Sequence, residues 1–415
     1  MKVVTILGIG RAKEKFEDRP VYRYDDKLGS FYSLKKQRYT NMLPLLIDNF
    51  GEQNIIPIFT KDAKDTNIEV LKKEFDIEYC EFFKDENFID SDKDFYKILR
   101  IINDVTSNNE EYIIDLTHGF RHIPILATIS LISQSLNNTD KIKHIFFAKE
   151  MEPYKDYEII DLKEYLELAN MSYVLETFNH NYTVSLVSKF KNKNFCNLIS
   201  RLSTISNHIL SNSLKALNKD VDKILSDIDF ILKNEQIETF KGSLEDIQRH
   251  IRELQDIGKE KDSIKFYRMS KILNSKGYLL NAITLLFEAI GYYCAESFEC
   301  FGDDIKAHIN NFKNSRKFNA YDLTHESRTI VKKMGLRNGA YLTSIAVHDN
   351  IQKKLESIKT LGAFRDFIKD AEKLRNNLAH GNANERIEDS KQELSRLLDK
   401  YNSFCIQQNI LGNKI

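Results

Sequence analysis

The chain has 415 residues, room for about two or three domains, and its 42% hydrophobic content can fill sizeable cores, which excludes a disordered or fibrous polypeptide. The 61 Lys plus Arg balance 61 Asp plus Glu, so net charge points to no nucleic-acid or acidic partner and any such site must be local. Five widely spaced cysteines, Cys80, Cys196, Cys294, Cys300 and Cys405, contain no C-x-x-C pair and exclude a disulfide framework or a cysteine-based zinc site.

In chain order, the amino terminus is apolar from Val3 but meets Gly8, Gly10 and Arg11 before a signal-peptide core can form. No later stretch approaches the roughly 20 apolar residues of a membrane span, so a cytoplasmic protein without a membrane segment is expected. Val3–Leu7, Ile55–Phe59, Tyr112–Leu116, Ile142–Ala148 and Tyr157–Leu162 read as strands. Thr40–Phe50, Asn67–Phe75, Phe95–Val105 and Ile123–Leu136 carry the spacing of amphipathic helices between them. Such alternation predicts an α/β, Rossmann-like domain over residues 1–165 with a largely parallel, doubly wound sheet, whose ligands bind at the carboxyl ends of the strands. After about Tyr165 the strand signals cease. A helical connector is expected over 166–265 and an all-α domain over 266–415, with a long apolar helix starting near Lys271 and running through Ile290. Phe301–Lys317 reads as a loop or short helix between core helices.

Two segments carry chemistry in the first half. Gly8 and Gly10 end the first strand, where backbone amides can approach a phosphate, yet Lys13 stands where a dinucleotide fingerprint needs its third glycine. A structural turn or another phosphate-bearing ligand remain as readings. Asp115-Leu116-Thr117-His118-Gly119-Phe120-Arg121 crosses from a buried strand into a helix, concentrating a hydroxyl, an imidazole, a glycine and a guanidinium where free N–H groups attract anions. The plainer reading has Asp115 and Thr117 capping that helix and Arg121 solvated. His118 and His122 have no nearby carboxylate or cysteine partner in sequence that would complete a metal set.

The string Asp115-x-Thr117-His118-Gly119-Phe120-Arg121-x-x-Pro124, after a strand ending Leu7-Gly8-x-Gly10, resembles the CARF domains of type III CRISPR ancillary proteins. The resemblance covers roughly residues 1–165. It implies a homodimer or higher homo-oligomer that binds a cyclic oligoadenylate across its two-fold axis, with Gly8, Gly10, Thr117, His118, Gly119 and Arg121 at the ligand. Family frequency favours cyclic tetra-adenylate over cyclic hexa-adenylate.

Near the carboxyl end an amphipathic helix, Phe364–Leu374, leads into Arg375-Asn376-Asn377-Leu378-Ala379-His380-Gly381. Five residues separate Arg375 from His380, about 140° around an ideal helix, so they share a face only if the helix ends between them, and Gly381 suits a position just past a helix end. Histidine can move the proton of a 2′-hydroxyl or a 5′-oxygen, and arginine can neutralise charge on a phosphorane-like transition state; a basic pair at a helix terminus is the plainer reading. Leu374-Arg375-Asn376-x-x-Ala379-His380-Gly381 resembles the HEPN nuclease motif, which implies Arg375, Asn376 and His380 as catalytic residues. Leu279–Ile290 would be the first long helix of that fold, with Glu288 either orienting Arg375 or His380 or facing solvent. The order of the two motifs is that of CARF-HEPN ribonucleases. It implies a cyclic oligoadenylate-activated, metal-independent endoribonuclease acting on single-stranded RNA, with no cofactor. The alternative is a catalytically silent sensor acting through a partner.

Overall fold

The computed structural model describes residues 1–10, 15–76, 83–90, 95–106, 110–118, 122–138, 141–184, 190, 192–234, 240–334, 342, 345–381 and 386–412. The chain forms two compact units, Met1–Glu176 with Ser185–Ile199, and Thr177–Val184 with Ser200–Ile415.

In the first unit the elements run β1 (Lys2–Ile6), β2 (Val21–Tyr24), α1 (Asp26–Gly29), α2 (Met42–Phe50), β3 (Ile55–Ile58), α3 (Lys61–Phe75), α4 (Phe95–Val105), β4 (Tyr112–Asp115), α5 (His122–Asn138), β5 (Ile142–Glu152) and β6 (Asp156–Asp161). The six strands form one sheet in the order β2-β6-β5-β4-β1-β3. β1 pairs in parallel with β3 and β4, β4 with β5, and β2 with β6, whereas β5 and β6 are antiparallel. Four of the five pairings are parallel, as expected of a largely parallel sheet, and the antiparallel β5–β6 pair makes it mixed. A turn at Pro153-Tyr154-Lys155, closed by Lys155 N–H to Glu152 O at 3.0 Å with Tyr154 at φ +60°, returns β6 directly along β5. β2 was not anticipated. It is a four-residue edge strand just after Pro20, with a charged residue at its centre, and Arg23 bonds Asp156 of β6 at 2.8 Å.

Alternation along β1 sends Val3 to one face of the sheet and Val4 and Ile6 to the other. The first face is covered by α2 and α3, through Met42, Leu43, Leu46 and Leu71. The second is covered by α4 and α5, through Ile98, Ile102, Ala127 and Leu131. α3 begins six residues before the expected Asn67, because Thr60 caps its amino end and only Ala63 in its first turn faces inward. Because β3 lies on one side of β1 and β4 on the other, the carboxyl ends of β1 and β4 form the switch point of the sheet.

The chain passes between the units within α6 (Lys163–Asn181) and α7 (Lys193–Leu210). The second unit is helical: α8 (Leu214–Asn234), α9 (Lys241–Lys259), α10 (Asp262–Ser275), α11 (Leu279–Phe298), α12 (Asp303–Lys313), α13 (Ala320–Val331), α14 (Ile345–Glu356), α15 (Leu361–Ala379) and α16 (Ile387–Tyr401). Val221, Ile224, Ile228 and Ile231 form the buried stripe of α8, facing Leu244, Ile247, Ile251 and Leu254 of α9. The single apolar helix expected from Lys271 is broken at Gly277, which sits at φ +82°. Tyr278 N–H reaches Leu273 O at 2.9 Å and Gly277 N–H reaches Asn274 O at 3.0 Å, closing α10 with a left-handed terminator. α11 then starts afresh as the core helix, packed by α10, α13, α15 and α16. Phe301–Lys317 contains α12. Among the described residues no helix is long and apolar enough to cross a membrane.

Candidate functional site

At the switch point, Thr5 of β1 and Asp115 of β4 are paired across the sheet and share the face covered by α2. Both are completely buried. The Asp115 carboxylate accepts from Thr5 Oγ1 at 2.7 Å, Thr117 Oγ1 at 2.6 Å and Thr117 N–H at 3.1 Å. Burial pushes the Asp115 carboxyl above the ordinary carboxylate range, opposed by the His118 imidazole and by the bonds from Thr117 and Thr5. Thr117 Oγ1 in turn accepts from Ala148 N–H of β5 at 2.9 Å, so this hydroxyl ties the end of β4 to its neighbour. Asp115 and Thr117 thus brace the strand end.

His118 reaches across to the amino end of α2, where Met42 N–H approaches its Nε2 at 3.5 Å. Burial pushes the imidazole below its ordinary value, which favours the neutral ring that can accept there. Asn41 caps α2, accepting from Leu43 N–H at 3.0 Å, and donates Nδ2 to Asn67 Oδ1 at 2.9 Å. Asn67, buried inside α3, donates to Gly8 O at 3.0 Å and Ala63 O at 2.7 Å. The turn after β1 is thereby held against α2 and α3. Gly10 lies so close that a Cβ there would stand 2.9 Å from Asn41 Nδ2. Gly8, Gly10, Thr117 and His118 therefore converge on one end of the sheet, beside the positive pole of α2, whose first two N–H groups are taken by His118 and Asn41 and whose third residue is Pro44. Gly119 and Arg121 lie outside the described residues.

Asn41 and Asn67 were not singled out from sequence. Asn41 carried a signal, an Asn immediately before an apolar helix with Pro44 in its first turn. Asn67 carried none, since its role depends on Gly8, 59 residues earlier. A cavity of ≈ 850 Å³ opens at the opposite end of the sheet, at the amino ends of the strands, lined by Lys2, Gln53, Pro57, Lys84 and Tyr112.

In the helical unit α15 ends at Ala379, His380 follows as its cap with its N–H on Asn376 O at 3.0 Å, and Gly381 turns away at φ +65°. Leu374 is buried, Arg375, Asn376 and Leu378 are half-buried, and the His380 residue is exposed. Arg375 forks Nε and Nη2 onto Asn376 Oδ1 at 3.2 and 2.9 Å, and its guanidinium carbon lies 5.2 Å from the centre of the Phe287 ring of α11. Among the described residues no hydrogen bond joins Arg375 to His380.

Glu288 is engaged elsewhere than at either expected partner. Its Oε2 accepts from Thr324 Oγ1 at 2.6 Å and its Oε1 faces Arg328 Nη2 at 3.4 Å, both on α13. Arg328, 2% exposed, also donates Nη1 to Phe287 O at 2.6 Å and stacks 3.9 Å from the Phe287 ring centre. Burial, and to a smaller degree the charge of Arg375, weigh against the Arg328 cation, while Glu288 favours it. Gly291 makes this contact possible: a Cβ there would fall 2.3 Å from Arg328 Nη1 and 2.5 Å from Thr324 Cβ. Among the described residues no three His, Cys, Asp or Glu side chains gather as a metal-holding group.

No family model matches the chain. It is 26% identical over 141 residues to a CRISPR-associated protein of Methanocaldococcus jannaschii, an alignment covering 32% of this chain and 22% of that protein. The chain thus spans less than a quarter of the length of the curated relative it matches.

Proposed function

We propose that this chain is a CRISPR-associated endoribonuclease, with a CARF-type sensor for a cyclic oligoadenylate in its first unit and a HEPN-type nuclease site in its second. The similarity to a CRISPR-associated protein supports the CRISPR association. The observation that carries the activity is the end of α15, where Arg375 lies against Phe287 with its Nη1 in no hydrogen bond among the described residues, and an exposed His380 follows at the helix cap.

In this reading a phosphodiester of single-stranded RNA rests on Arg375, whose permanent charge opposes the charge growing on the phosphorane-like transition state. His380 moves the proton between the attacking 2′-hydroxyl and the departing 5′-oxygen. The attacking oxygen belongs to the substrate itself, so positioning and proton transfer suffice, and the chemistry needs no metal-activated water. One chain offers one Arg375 and one His380, and a homodimer would gather two of each around a phosphate. At the other end of the chain, the groups converging beside α2 suit phosphates or adenine edges of a cyclic oligoadenylate, with cyclic tetra-adenylate favoured and cyclic hexa-adenylate next.

The test is cleavage of a fluorophore-quencher RNA by the full chain with cyclic tri-, tetra- or hexa-adenylate, in EDTA. Expected are activator-dependent products with 2′,3′-cyclic phosphate and 5′-hydroxyl ends, no cutting of the all-deoxy strand, and near-complete loss in His380→Ala with activator affinity intact. Cutting of the all-deoxy strand, or activity that Mg²⁺ alone restores, overturns the mechanism.

A further inference from the structure

Arg328 is the largest of the fully buried side chains among the described residues. Burying a cation is costly unless it is paired, and here the pairing leaves a surplus. Two guanidinium groups, Arg328 at 3.9 Å and Arg375 at 5.2 Å, approach the one Phe287 ring, and the carboxylate of the next residue, Glu288, pairs with the first of them. Both oxygens of that carboxylate are taken up by α13, through Thr324 and Arg328. Arg375 instead rests on the neutral Asn376 amide oxygen. The positive charge left over after pairing is thus that of Arg375, on the half-buried end of α15 beside the exposed His380.

We propose that Arg328 is a positioning residue that occupies the Glu288 carboxylate and backs the Phe287 ring, so that Arg375 stays uncommitted and presents its Nη1 edge to the phosphodiester. This rests on the reading of Arg375 as the phosphate-binding group of an endoribonuclease. The physical reason is competition for one anion. The Glu288 side chain is 24% accessible, and without Arg328 it would keep only the Thr324 hydroxyl, with Arg375 the cation left on the shared ring. An ion pair between Glu288 and Arg375 would discharge the group that must meet the substrate. A side chain that merely filled the core would lose its effect through packing, and removing the Glu288 charge would not restore it.

The full-length chain and its variants are compared by two measurements. One is kcat and KM for single-stranded RNA at saturating cyclic tetra-adenylate. The other is the rate at which phenylglyoxal modifies Arg375, followed by peptide mass spectrometry, which needs no turnover. Arg328→Met is expected to lower kcat at least 10-fold with little change in KM and to slow modification of Arg375 at least 3-fold. Adding Glu288→Gln should bring both back to within 3-fold of the unmodified chain. Thr324→Val, which frees one Glu288 oxygen without touching a charge, should slow modification about 2-fold, and this arm decides the matter if Arg328→Met gives no folded chain. An unchanged modification rate in a folded Arg328→Met or in Thr324→Val, or a double variant that recovers neither quantity, overturns the proposal. If the unsubstituted chain cuts no RNA with any activator, the ribonuclease reading fails, while the modification rates still decide whether Arg328 keeps Arg375 uncommitted.

Discussion

Gly291→Ala tests the packing that brings α13 to α11. On helix propensity alone the change should stabilise, since alanine in a helix interior is favoured over glycine by about 1 kcal/mol. The contacts reverse that sign. The added methyl would stand 2.3 Å from Arg328 Nη1, 2.5 Å from Thr324 Cβ and 2.9 Å from Thr324 Cα, and the last of these is backbone that can yield only by moving α13. Overpacking of this kind costs about 1–3 kcal/mol. Displacing Arg328 from Phe287 O also weakens a charge-assisted bond worth about 1.5–3 kcal/mol. Set against the propensity gain, the net loss should be about 2–4 kcal/mol, a fall of roughly 1–2 M in the urea midpoint at a slope near 2 kcal/mol per M. Gly362→Ala in α15 is the control, because nothing lies within 4 Å of its added methyl, and it should leave the midpoint unchanged or raise it slightly. Urea unfolding followed by far-ultraviolet circular dichroism reads both. A Gly291→Ala midpoint equal to or above that of the unsubstituted chain would refute the close-approach argument.

Asn67→Ala should cost about 1–3 kcal/mol, since it deprives Gly8 O and Asn41 Nδ2 of their partner, and calorimetric titration should show weaker cyclic tetra-adenylate binding; unchanged binding would detach the Gly8 turn from the ligand site. His118 gives a pH signature. Its imidazole is held below the ordinary value in the folded chain, so its contribution to stability is fully present above about pH 6.5 and is lost as pH falls below that. Unfolding at pH 7.5, 6.5 and 5.5 should therefore show a steeper acid loss in the unsubstituted chain than in His118→Gln, and parallel profiles would count against the buried neutral ring.

Local periodicity was enough to locate most elements of the first unit. Val3–Leu7, Ile55–Phe59 and Tyr112–Leu116 were legible as strands because each is a short run rich in β-branched and aromatic residues, and the observed strands differ from them by no more than one residue at an end. Phe95–Val105 was legible as a helix from its apolar spacing at the helical period. The two strings around Thr117-His118 and Arg375-His380 were visible as residue types, and so was the unusually apolar stretch that became α11. What the tertiary structure decided is which polar groups meet. Thr5 and Asp115 are 110 residues apart in sequence, Asn67 and Gly8 59 apart, and Arg328 and Glu288 40 apart. No pattern within one helix or strand encodes such pairs, because a side chain's partner depends on which element the fold lays beside it. Likewise β2 is a strand through its place beside β6, and Glu288 turns to Arg328 because Gly291, one turn along α11, lets α13 come close enough to supply it.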